Sequence, residues 1–111
     1  MTDPIYHLAL ARDWEAARAA GAYTVSTRGR TLAEEGFIHA ARADQWPGVR
    51  ERFYVGVTEP LLLLVIDPDR LAAEVRTEPV PGLDETFPHV YGPVDLDAVV
   101  EARELPAELP Q

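Results

Sequence analysis

Leu61-Leu62-Leu63-Leu64-Val65-Ile66 is the longest purely apolar run in the chain, six residues long. A membrane-spanning helix needs ~20 such residues, so this run does not read as one. A short strand that is apolar at every position has no face to offer water, so it reads as a central strand buried on both sides. Asp67-Pro68-Asp69 then turns the chain. Upstream, Pro4 to Leu10 alternates loosely and reads as a first strand, with Tyr6 and Leu8 on one face and His7 on the other. Asp13 is placed to N-cap a helix whose Trp14, Ala17 and Ala20 share a face and whose end suits Gly21. Tyr23 to Ser26 reads as a short strand or extended loop, and Thr27-Arg28-Gly29-Arg30 as a turn. Leu32 to Glu35 makes one helical turn, Gly36 breaks it, and Phe37-Ile38-His39 is a short strand.

Asp44 is the next N-cap candidate, ahead of a second helix with Trp46, Val49 and Phe53 on one stripe. Pro47 requires that helix to begin just before it, and Tyr54-Val55-Gly56 closes it. Downstream of the apolar run, Ala73 to Glu78 alternates as a more exposed strand, and residues 79–86 form a Pro/Gly loop. Pro88 and Pro93 bracket a strand of only about four residues. Leu96 to Leu105 is the last strand or strand pair, and residues 106–111 form a tail. Trp14, Trp46, Phe53 and the leucine run are assigned to the core. This order predicts one α+β domain over residues 1–111, with a mixed or antiparallel sheet and two main helices.

Composition removes several chemistries. The chain of 111 residues has no Cys, no Lys and no Asn, and Ser26 is its only serine. Disulfides, thiolate metal sites, thiol nucleophiles, Schiff bases and a P-loop lysine are thereby excluded. Ser26 has no nucleophile-elbow glycines around it. The net charge is −9, and all of it falls in the second half: residues 56–111 carry three Arg against twelve Asp and Glu, whereas residues 1–55 balance at seven and seven. An acidic body repels phosphate backbones, so nucleic acid and anionic membranes are not expected partners. No signal peptide is visible, and the lack of Cys fits a cytoplasmic protein.

Histidine is then the obvious proton carrier near neutral pH. All three stand beside aromatic residues, in Ile5-Tyr6-His7, Gly36-Phe37-Ile38-His39 and Phe87-Pro88-His89-Val90-Tyr91-Gly92-Pro93. Their separations of 32 and 50 residues include no His-x-x-x-His pair, so no metal site is expected. Arg28 and Arg30 flank Gly29, a loop composition able to hold a phosphate, although a solvated turn is the commoner reading. Arg42 and Arg52 are placed on the solvent side of the second helix, and Glu101 is assigned to solvent.

The motifs Gly-Phe-Ile-His and Phe-Pro-His-x-Tyr-Gly-Pro, with Gln45, Arg52-Phe53-Tyr54 and Leu61 to Pro68, carry a resemblance over about Ile5 to Val99. On these residues the chain resembles an uncharacterised bacterial domain-of-unknown-function family whose fold is similar to ADP-ribosyltransferases. That resemblance implies a split pair of small sheets with NAD in the cleft between them. It implies His7 on a ribose, Phe37 or His39 against the base, and His89 where many such enzymes carry a polarising Glu. His89 in place of Glu, and Ala41 where the family often has Ser, are departures from the pattern. A group of RNA 2′-phosphotransferases works with His and Arg without that Glu, but the acidic charge here argues against an RNA substrate.

The sequence therefore yields an expected NAD- or nucleotide-binding cleft supporting ADP-ribosyl or ribose phosphoryl transfer. His39 and His89 are its expected catalytic residues, and His7, Phe37, His39, Tyr91, Arg28 and Arg30 its expected ligand contacts. Two alternatives stay open: a non-catalytic small-molecule binding or regulatory module, and a hydrolase or isomerase using His39 and His89 as an acid–base pair.

Overall fold

The structure is a computed structural model that describes residues 2–106; the expected tail, apart from Pro106, lies outside the described residues. The elements run β1 (Ile5–Leu10), α1 (Ala11–Ala20), β2 (Ala22–Tyr23), β3 (Val25–Thr27), β4 (Arg30–Thr31), α2 (Leu32–Glu35), β5 (Ile38–His39), α3 (Trp46–Phe53), β6 (Leu61–Ile66), β7 (Val75–Pro79), β8 (Thr86–Val90), β9 (Val94–Asp95) and β10 (Val99–Leu105), with single 3₁₀ turns at Pro68–Arg70 and Leu96–Ala98. The fold is α+β, and the pairings in its sheets are antiparallel.

Two three-stranded sheets organise it. The first has the order β1-β6-β10, so the apolar run Leu61–Ile66 is the middle strand. All six of its side chains are buried. Leu62, Leu64 and Ile66 pack with Ile5, Ala9 and Ala17 and with Ile38 and Val90 of the second sheet. Leu61 and Leu63 pack on the opposite side with Leu8, Leu10 and Tyr54, beneath Trp46 and Val49 of α3. Covering both faces is what allows an antiparallel strand to lose its usual polar alternation. β10 is the exposed outer strand, with a bulge between Val99 and Glu101 and a Glu101–Arg103 ion pair at 3.1 Å on its surface.

The second sheet has the order β5-β8-β7. Its inner face gives Ile38 and Val90 to the core. Pairing sets His39 opposite His89, and Arg76 also opposite His89, so these three side chains stand on the other face. A single bridge, Tyr6 with Ala41, ties β1 of the first sheet to the chain leaving β5, with both backbone bonds at 2.8 Å.

Several local expectations are corrected. Asp13 is not a cap: β1 runs straight into α1, the N-cap is Leu10, and Asp13 lies in the first turn, where its charge suits the helix dipole. Asp44 is not a cap either. The N-cap of α3 is Gln45, whose buried side chain accepts the Arg42 N–H at 2.9 Å and donates to the Thr86 carbonyl at 2.9 Å. Trp14 and Trp46 are only half-buried, and Phe53 is 48 % exposed, so α3 contributes no fully buried residue. Pro88 lies inside β8 and does not bound it. Its carbonyl accepts from Ala40 N–H at 3.0 Å. An antiparallel residue points both backbone groups the same way, so the missing N–H faces the end of the two-residue β5, where little ladder remains to be broken. β7 reaches Pro79 and β8 begins at Thr86, so the expected 79–86 loop is shorter by one residue at each end. The expected last strand from Leu96 to Leu105 is extended only as β10 from Val99; Leu96–Ala98 is a 3₁₀ turn, and the short β9 lies before it.

Candidate functional site

β5 has only two residues, and its outer edge is finished by side chains. Ser26, fully buried, donates its hydroxyl to the Phe37 carbonyl at 2.5 Å. His7, also buried, lies 2.5 Å through Nδ1 from the His39 carbonyl. A carbonyl only accepts, so Nδ1 carries the proton and Nε2 accepts from the Tyr23 hydroxyl at 3.0 Å. Burial pushes the His7 pKa down to about 4, partly opposed by the His39 carbonyl, and it pushes the Tyr23 phenol up. His7 is thus a neutral imidazole with both nitrogens occupied. The single serine and the first histidine hold the backbone of the Gly-Phe-Ile-His motif, and neither is available as a nucleophile or base.

The remaining motif residues converge on the outer face of the second sheet. Phe37 stacks on His89 with centroids 4.2 Å apart and planes 22° apart. It also meets His39 at 4.8 Å and Tyr91 at 5.5 Å. The His39 and His89 rings are 5.3 Å apart, edge to face. Each imidazole has its own carboxylate: His39 Nε2 lies 3.2 Å from Glu35 Oε1, and His89 Nδ1 lies 2.9 Å from Glu78 Oε1. The Tyr91 hydroxyl donates to the same Glu78 oxygen, and Arg76 lies 4.5 Å over the Tyr91 ring. The Tyr91 and His89 hydrogen bonds hold the Glu78 carboxyl below its usual range. Burial lowers the His39 pKa, with the Glu35 bond pulling it back up. His89 is 3 % exposed, and its Nε2 is buried without a hydrogen-bond partner among the described residues.

A cleft of about 290 Å³ opens where β1 approaches β5 and β8. Trp46 and Phe53 of α3 form one wall, and Leu83 and Phe87 of the β7–β8 hairpin form another. Tyr6, His7 and His39 contribute to the floor, and Ser26 and Thr27 close one side. Phe87 and His39 stand on the same sheet face as His89, so the wall of the cleft continues into the ring cluster. The exposure of Phe53 follows from this: its ring faces the cleft.

The sequence candidates divide accordingly. His39 belongs to both cleft and cluster, while Phe37, His89 and Tyr91 belong to the cluster. His7 reaches the cleft but is bonded on both sides. Arg30 is committed to Glu35 at 2.8 Å, which makes it a support for the His39 partner. Arg28 follows Thr27 at the cleft side, is exposed, and its charge reaches the Tyr54 hydroxyl; among the described residues no carboxylate pairs with it. Arg42 donates to the Thr86 carbonyl at 3.1 Å, and Glu101 pairs with Arg103 in solvent. Glu35 and Glu78 are site residues that sequence reasoning missed. The signal for Glu78 was its place in an alternating hairpin two residues from Arg76, which puts it on the His89 face. Gly92 also has a specific duty: a Cβ there would meet the Ala73 Cβ at 2.8 Å, so the Tyr-Gly-Pro turn needs glycine for close approach.

Among the described residues, no group of three or more His, Cys, Asp or Glu side chains is arranged to hold a metal ion, and no helix is long and apolar enough to cross a membrane. No curated protein matches the chain. Solved structures do match it. The crystal structure of protein CC0527 from Caulobacter crescentus superposes with a TM-score of 0.80 at 26% identity, covering 95% of this chain and 88% of that one. A double-methionine variant of the same protein gives 0.80 at 25% identity, and its solution NMR structure gives 0.76 at 26%. Residues 8–102 match the family described as "Protein of unknown function (DUF952)". That span runs from Leu8 in β1 to Ala102 in β10 and takes in the His39 and His89 motifs of the ring cluster, and the chain belongs to the DUF952 family.

Proposed function

We propose that the cleft binds a nucleotide of the NAD class. The observation that carries this reading is a concave site with aromatic walls, continuous with a row of imidazoles and flanked by an arginine that has no carboxylate partner among the described residues. Its volume of about 290 Å³ is near the lower end of small-molecule sites, ~300–1,000 Å³. It suits part of a dinucleotide, with the rest lying outside. A planar base fits between Trp46, Phe53 and Phe87, His39 supplies the polar contact, and Arg28 takes the phosphate as a fixed cation. The division into two small antiparallel sheets with a cleft beside their junction supports the resemblance to ADP-ribosyltransferases. In this reading the ribose lies toward His39 and His89, and transfer at that ribose draws on positioning and charge stabilisation without a covalent nucleophile. A cytoplasmic location goes with such a ligand.

Calorimetric titration with NAD, ADP-ribose and nicotinamide tests the reading. Binding of NAD that weakens in Phe53→Ala and in Arg28→Ala is expected. Absence of heat and of any shift in melting temperature at millimolar ligand removes it.

One observation favours a second reading, an acid–base site. The His39 and His89 rings, each paired with its own carboxylate, lie 5.3 Å apart, within reach of one substrate. Turnover that vanishes in both His39→Ala and His89→Ala, with a bell-shaped pH profile, is the mark of that arrangement.

A further inference from the structure

We propose that the space filled by the Phe37 ring is a ring-binding subsite, closed by Phe37 in the unliganded protein and opened when a planar aromatic group of the ligand takes its place. The choice of ligand class rests on the nucleotide reading; the subsite itself rests on the geometry of the cluster.

Three walls surround Phe37. His89 lies beneath it in a stacked contact at 4.2 Å, His39 meets it at 4.8 Å, and Tyr91 meets it at 5.5 Å. Each is a ring with a polar edge, and two are held in place by Glu78. Such a frame accepts any flat ring, because stacked and edge-on contacts depend on ring shape and quadrupole more than on identity. Phe37 is only half-buried, unlike its neighbour Ile38, which is 0% exposed on the core side. The subsite is contiguous with the cleft, since His39 and Phe87 line the cleft from the same sheet face.

The closed arrangement also carries a penalty. With Nδ1–H of His89 directed to Glu78, Nε2 is a buried polar atom with no hydrogen-bond partner among the described residues. Phe37 is built to move as a side chain. Ser26 pins its carbonyl, so the ring can turn about χ1 while β5 stays in register. Gly36 before it has a left-handed φ of 87° and open space where a side chain would stand.

Nicotinamide and benzamide are the probes, read by calorimetry and by imidazole ¹⁵N spectra, with NAD titrated in parallel. Phe37→Ala is expected to bind nicotinamide about three- to tenfold tighter than the natural chain, the size of a ring contact that no longer competes. The His89 resonances are expected to move on binding. Equal or weaker binding by Phe37→Ala, or bound ligand with unmoved His89 resonances, overturns the proposal. Phe37→Leu keeps bulk without a flat face and is expected to shift affinity in the same direction if the alanine variant does not fold. In the natural chain the Phe37 ring signals must leave their His89-stacked positions as nicotinamide saturates, and unmoved Phe37 signals also overturn the proposal. NAD binding with no effect of Phe37 substitution removes the subsite and leaves the cleft reading standing. Nicotinamide binding to Phe37→Ala with no NAD binding to either form does the reverse.

Discussion

The two three-stranded sheets use their side chains in opposite ways. In the β1-β6-β10 sheet the middle strand gives every side chain to packing, and the sheet's one histidine, His7 on β1, is neutral and bonded at both nitrogens. In the β5-β8-β7 sheet one face packs through Ile38 and Val90, while the other collects Phe37, His39, His89, Tyr91, Arg76 and Glu78 beside a cleft. Both sheets contain a buried imidazole. His7 is closed off by a carbonyl and a phenol; His89 keeps one nitrogen without a partner among the described residues. Burial by itself therefore does not distinguish a structural histidine from a candidate functional one. The completeness of its hydrogen bonding does.

The contrast can be broken most forcefully in the first sheet. Leu64→Ala removes a fully buried side chain from the middle strand and is expected to destabilise by ~2–5 kcal/mol in urea unfolding. A loss under 1 kcal/mol would mean that β6 is not the packing centre.

The next effect belongs to His7 and appears as pH dependence. Its folded pKa is about 4 against 6.5 when unfolded. Between those values the unfolded chain binds the proton that the folded chain refuses, so stability rises with pH. Stability is fully present above about pH 6.5 and is lost as pH falls toward 4, by an amount on the order of 3 kcal/mol. His7→Gln, which has an amide donor and acceptor but no titration, is expected to flatten that window in denaturation midpoints measured from pH 7 to 4. An unchanged slope would show that the His7 imidazole is not the sensor.

In the second sheet the expected effects are functional. Glu78→Gln is expected to leave the fold intact but to release the His89 tautomer, seen as a shift of Nδ1 and Nε2 toward averaged ¹⁵N positions. A ring that keeps a protonated Nδ1 in the variant would show that Glu78 does not orient it. The smallest change is expected at Arg103→Ala, whose exposed partner Glu101 adds little to stability in water; a denaturation midpoint shifted beyond measurement error would contradict this.

Legibility in the sequence follows the range of the interactions. The apolar run, the strand before α1, and the glycines that end α1 and α2 were readable because their causes lie within a few residues. The caps at Asp13 and Asp44 were misread because the chain enters α1 directly from β1 and because Gln45 is held by Thr86, a distant partner. Phe53 looked like core because its stripe is apolar, yet the surface it faces is the cleft. The motifs marked His39 and His89, but their pairing across β5 and β8 is a register that no local spacing encodes. The quenching of His7 depends on Tyr23 and on a carbonyl 32 residues away. Glu35 and Glu78 carried no signal of their own, because a carboxylate on an exposed strand or short helix has the same local pattern whether or not an imidazole stands beside it.

β10 forms a border of the first sheet, and beyond the bulge at Val99 its residues Glu101, Arg103 and Glu104 face water. A neighbouring molecule adding a strand there would have to strip hydration from three ionised groups and follow a kinked edge. The border therefore works against fibre-like stacking on β10, one strand out from six consecutive buried aliphatic residues.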